Sequence, residues 1–227
     1  ALSSAASDVY KRQICYVLIV NFERHCNMRK KSHLSLAVYL IDNMDSSLLI
    51  NHRKAFLLGS ILPDCRPSFV TTKHNMEETF DMVSDFISQL TVDSHDYKRI
   101  STAYVRKLGE VTHYVADYFT YPHNEVFDGN IKDHCIYEKN LKEALKSYID
   151  SEQIYINKSL IDSFRKPEDI CRLIKNLHAQ YVSGRSTVNN DCIYIVAMCH
   201  IIVGGILKLL IENRSYGYIN RLRPNVA

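Results

Sequence analysis

The chain has no tryptophan and few turn-forming residues, with seven glycines and five prolines among 227 residues. Sandwiches and many-stranded barrels use such residues at every reversal, so their scarcity points away from those folds and toward long helices. A cysteine framework is also missing. The seven cysteines, at positions 15, 26, 65, 135, 171, 192 and 199, form no C-x-x-C pair and are odd in number. That pattern fits reduced thiols and a cytoplasmic location better than a disulfide scaffold. Neither sign of charge dominates. The formal net charge is +3 and the basic residues fall in clusters of three at most, so no stable nucleic-acid partner is expected.

Long apolar runs are scarce as well. The run at positions 14–20 covers seven residues, far short of the roughly 20 needed to cross a bilayer. The most apolar text, Val188–Asn213, is interrupted by His200, Gly204, Gly205 and Lys208. It reads as the central buried helix of an all-α domain, and no transmembrane segment is expected.

The composition that remains, 46% hydrophobic and 23% charged, is ordinary for a globular protein. No internal repeat or linker divides it, so a single domain is expected over residues 28–227. Residues 1–27 read as an N-terminal extension outside that domain, with Met28 in M-R-K-K-S-H-L a natural start. Periodicity and punctuation predict a helix capped by Ser32 and running to about Met44, and another from Ser47 to Ile61, stopped by Pro63. A loop follows over Cys65–Lys73. Further helices are expected at Asn75–Leu90, at Tyr97–Tyr121 before Pro122, and from Asp133, read as a cap, to Ile149. Residues 154–164 give no clear signal. A helix begins at Pro167 and ends at Gly184.

The chemistry concentrates between Val111 and Glu138. This segment holds two pairs of metal-ligand type at i,i+4, His113/Asp117 and His134/Glu138, with His123 between them. Residues four apart share one helix face, so each pair can grip a cation from two sides. Upstream lie His33, Asp64 and His74. Zinc takes imidazole nitrogen and carboxylate oxygen in sets of three or four, and these eight residues suffice for two or three ions. Such clusters act on phosphate esters by polarising the phosphoryl oxygens, generating hydroxide near neutral pH and stabilising the leaving oxygen. The other histidines read as structural: His25, His52, His95 and His178 as surface or loop residues, and His200 as a hydrogen-bonded core residue. Cys65, Cys135, Tyr114, Tyr118 and Tyr121 are expected to pack rather than to bind.

The motifs S-H-L-S-L-A, F-L-L-G-S-I-L-P-D, G-E-V-T-H-Y-V-A-D-Y-F-T-Y-P-H and H-C-I-Y-E resemble, in order and spacing, those of the zinc-dependent phospholipase C family, relatives of the S1/P1 nucleases. The resemblance implies an all-α, single-domain multi-helix bundle. It also implies that His74, His113 and Asp117 hold one zinc ion with Asp64 close by, and that His123, His134 and Glu138 hold a second. Asp117 would bridge to a third ion that also uses His33. Asp64 would orient the attacking water as general base. Secreted members complete the third site with an N-terminal tryptophan, which this chain lacks, so two zinc ions are expected and the third depends on a free amino group near Met28. The implied substrate is a phosphodiester such as a phospholipid head group, met during transient membrane contact. The alternatives are a nuclease or 3′-nucleotidase using the same cluster, which Glu138 argues against, and a non-catalytic metal-binding helical protein.

Overall fold

A computed structural model describes residues 30–66, 73–92, 101–151, 154–185 and 187–222. Among them there are helices and no strands, the all-α class expected. Helix α1 spans residues 30–43 and buries Leu36, Ala37, Leu40 and Ile41. Ser32 lies within it rather than capping it, because the backbone is already helical two residues earlier.

The helix expected over Ser47–Ile61 is two, α2 (Ser47–Asn51) and α3 (Arg53–Ile61), separated by His52 at φ −116°. Asn51–Lys54 offers that turn no apolar side chain to bury. Pro63 opens a 3-10 turn, Pro63–Cys65, that extends the structure beyond the expected stop. Residues 67–72 of the expected loop lie outside the described residues.

Helix α4 covers Met76–Val92, and Asn75 Oδ1 accepts from the Glu78 amide at its start. Helix α5 covers Thr102–Tyr118 behind an N-cap at Ser101. Its expected last turn is lost because Pro122 disfavours helix in the residue before it, and Tyr121–His123 forms a 3-10 turn instead. Helix α6 covers Ile131–Asp150. Its cap is Asn130, not Asp133. Asp133 sits three residues on and closes a capping box by accepting from the Asn130 amide. A short α7 (Lys158–Ser163) occupies the unassigned stretch, and α8 runs from Pro167 to Ser183 before Gly184.

Helix α9 (Val188–Leu222) is the axis around which α4, α5, α6, α7 and α8 pack. Its segment Val188–Asn213 is long and apolar enough to cross a membrane, but 72% of its most apolar window is buried inside the fold. It is therefore the central core helix. The Gly204–Gly205 interruption has a packing cause: a Cβ on Gly205 would stand 2.5 Å from the Phe164 ring, which closes the end of α7 against α9. A second close approach joins α3 to α5. A Cβ on Gly59 would meet the Arg106 carbonyl oxygen at 2.0 Å, and one on Gly109 would meet that of Phe56 at 2.4 Å. These two glycines bring the Asp64 turn within reach of His113.

Candidate metal centre

Eight side chains from six segments converge. His33 comes from α1, Asp64 from the Pro63–Cys65 turn, and His74 from just ahead of α4. His113 and Asp117 come from α5, His123 from the Tyr121–His123 turn, and His134 and Glu138 from α6. All are buried except His134 and His123, which are partly exposed. The His134 side chain is 24% exposed against 6% for His123, so the cluster opens to solvent on the His134 side.

The innermost group is built on three donors, His74, His113 and Asp117. His74 Nδ1 lies 3.0 Å from His113 Nε2, and Asp117 Oδ2 lies 3.1 Å and 3.2 Å from these nitrogens. Asp64 Oδ1 lies 3.6 Å from each of them. Ligands about 2.0–2.1 Å from a zinc ion at tetrahedral angles are about 3.3–3.4 Å apart. The donor set thus fits zinc in chemistry and in span.

Ser60 strengthens that fit. Its carbonyl oxygen lies 2.9 Å from His113 Nδ1. With that nitrogen donating, Nε2 faces His74, Asp64 and Asp117 with its lone pair, the outer-shell arrangement typical of ligating histidines. Burial lowers the His113 pKa, but the Asp117 and Asp64 carboxylates and the Ser60 hydrogen bond outweigh it and lift the pKa to about 9. Without a metal, a proton therefore takes the position a cation would fill. His33 stacks on the same ring at 4.0 Å. Its pKa is lowered, first by burial and then by the His113 charge, so it stays neutral and able to ligate.

Asp117 divides its oxygens. While Oδ2 faces the first group, Oδ1 lies 3.3 Å from His33 Nε2 and 3.5 Å from His123 Nδ1. Although desolvation opposes ionisation, the surrounding histidines hold this carboxyl well below the usual range. The second group joins His123 Nε2 and His134 Nε2 to Glu138 Oε1 at 3.4 Å and 2.8 Å. His123 Nδ1 is buried and has no hydrogen-bond partner among the described residues. All three donors lie within 4.8 Å of one another, so this set also fits a metal ion.

Several supporting residues carry no local sequence signal. Glu110, buried one turn before Tyr114, pairs with Arg66 at 2.8 Å and ties the Asp64 turn to α5. Tyr114 packs its edge against His74 and His113; burial, first among its causes, raises its hydroxyl to about 12. Tyr118 is buried in the core. Tyr121 is half-buried, and its hydroxyl donates to the Val126 carbonyl.

Other expectations need correction. His178 is not a surface residue: it is buried on α8 with Nε2 at 2.7 Å from Asn124 Oδ1, because Asn124 spends its amide protons on the Tyr118 and Thr120 carbonyls. His200 is in the core as expected, but its Nδ1 has no hydrogen-bond partner among the described residues. Cys65 is exposed rather than packed, because its side chain faces away from the ligand beside it. Cys135 is partly buried and donates to the Ile131 carbonyl. His52 is half-buried at the α2–α3 break, and His25 and His95 lie outside the described residues.

An all-helical fold around a buried centre of imidazoles and carboxylates defines a class of metal-dependent helical proteins. Within it, the chain belongs to the zinc dependent phospholipase C family, whose profile matches residues 32–187. No curated protein and no solved structure gives a significant match.

Proposed function

We propose that this protein hydrolyses a phosphodiester in the manner of a phospholipase C. The observation that carries the reading is the close grouping of His74, His113 and Asp117, with Asp64 3.6 Å from both imidazoles and a second donor set alongside. Zinc bound by these residues would supply Lewis acidity toward phosphoryl oxygen and make water nucleophilic at neutral pH. His74, His113 and Asp117 would hold one ion, and His123, His134 and Glu138 another. His33 and Oδ1 of Asp117, 3.3 Å apart, would take part in a third.

Asp64 is the catalytic candidate. Its carboxylate borders the first group at 3.6 Å from two imidazoles, the place from which it can orient a water and accept its proton. The water oxygen would then bond to phosphorus, the phosphorus–oxygen bond to the alcohol would break, the departing oxygen would take a proton from solvent, and Asp64 would return its proton to solvent. Buried Leu141 and Leu145 and the low exposure of the ligands keep bulk water from the inner side.

The open side favours a lipid head group. Beyond His134, the first turn of α6 presents Ile131 at 84% exposure, and Ile136 and Val126 are also exposed. An apolar rim beside the open ligand suits transient contact with a membrane surface. A chromogenic phosphocholine ester tested against a 3′-nucleotide checks the substrate class. Turnover of the first is expected; preference for the second would move the protein to the nuclease reading. Asp64→Asn should lower kcat by roughly 10²–10⁴-fold while keeping zinc. A zinc-replete protein that turns over neither substrate, with Asp64→Asn changing nothing, would leave a metal-binding protein without catalysis.

A further inference from the structure

The second donor set is strapped together from a helix that supplies no ligand. Asp191 is fully buried in the first turn of α9, beyond the segment that matches the family profile. Its Oδ2 accepts from the Tyr121 backbone amide at 2.9 Å and from the Tyr137 hydroxyl at 2.9 Å. Its Oδ1 accepts from the Tyr181 hydroxyl of α8 at 2.7 Å. Tyr121 opens the turn that carries His123. Tyr137 stands on α6 directly before Glu138 and three residues after His134. One carboxylate oxygen therefore holds both ligand-bearing segments, whose Tyr121 and Tyr137 rings lie 5.6 Å apart.

A buried carboxylate is costly unless hydrogen bonds satisfy it, and three donors from three segments satisfy this one. Metal ligands must keep their separations to about 0.2 Å. A three-residue turn, joined to α6 through residues 124–130, gains that precision from a common anchor.

We propose that Asp191 is a positioning residue of the metal centre: it sets the separation between His123 and the His134/Glu138 pair, and with it the affinity for the ion these three hold. The inference rests on reading that triad as a metal site. Tyr137→Phe and Tyr181→Phe each remove one donor to the same carboxylate. Only Tyr137 belongs to a ligand-bearing helix, so a purely structural role for Asp191 would affect the two alike.

Zinc affinities of the full-length variants can be measured by competition with a chromogenic chelator, with His134→Ala marking the ion that belongs to the triad. Tyr137→Phe should weaken that ion about tenfold or more and Asp191→Asn at least as much. Tyr181→Phe should stay within about twofold, and the ion of the His74/His113/Asp117 group should be unchanged. If Tyr137→Phe and Tyr181→Phe weaken the triad ion equally, or neither does, the proposal falls. If His134→Ala binds zinc exactly as the unmutated protein does, the triad is no metal site, and the parent reading fails together with the inference. Should Asp191→Asn fail to fold, the two tyrosine variants still decide.

Discussion

Single side chains decide how protons and metal compete here. His113 is buried between carboxylates, and its pKa in the metal-free protein is raised to about 9 from an ordinary 6.5. A raised folded-state pKa adds stability that is fully present below the unfolded value and is lost as pH rises through the folded one. The metal-free protein should thus lose stability between about pH 6.5 and pH 9, and saturating zinc should flatten that slope by replacing the proton. Zinc binding at pH 7.5 should release close to one proton from His113, seen by calorimetry in buffers of different ionisation enthalpy. Binding with no proton release would contradict the position assigned to Nε2. Of the eight ligand-type residues, the five from His113 to Glu138 were legible from spacing, and His33, Asp64 and His74 only from the motifs around them. The Ser60 carbonyl that orients His113 was not, because a backbone acceptor leaves no mark in residue type.

Among the helices, the α3–α5 crossing matters most. It places the Asp64 turn beside His113 and Asp117, and it depends on Gly59 and Gly109 meeting backbone to backbone. Gly109→Ala would push a methyl group into the Phe56 carbonyl. We expect a loss of about 1–3 kcal/mol from overpacking, read as a lower denaturation midpoint, together with weaker zinc binding because the Ser60 carbonyl moves away from His113. Normal stability with normal zinc affinity would show that the crossing can relax. Helix positions were largely legible from apolar periodicity. Their ends were not: Asn130 rather than Asp133 caps α6, since two plausible cap residues three apart are distinguished only by backbone geometry. The break at His52 and the 3-10 turn after Pro63 are likewise settled by what each turn can bury.

For the molecule as a whole, the candidate ligands come from α1, α5, α6, two turns and the stretch ahead of α4, so a bound ion would join distant parts of one cooperative unit. Ligand binding to the native state stabilises it by about 2.7 kcal/mol when free metal is 100 times Kd. For a domain of this size each kcal/mol is worth about 2–4 °C. Removal of zinc by a chelator should therefore lower Tm by about 5–10 °C, with recovery on adding zinc back. An unchanged Tm would argue against ions bound at the convergence of these segments.

The all-helical class, the central apolar helix and the ligand set follow from local text. Periodicity states which residues must be buried, and i,i+4 spacing states which side chains share a face. What joins His33, Asp64 and His74 to α5 is the packing of α1, α3 and α4. What holds His123 against α6 is Asp191, about seventy residues further along the chain. Neither can be read locally, because a buried carboxylate finds its donors in three separate segments and a glycine crossing exists only once both helices are in place. Residue spacing and motif name the candidate ligands, and tertiary packing brings neighbouring ones to within 3–4 Å of one another.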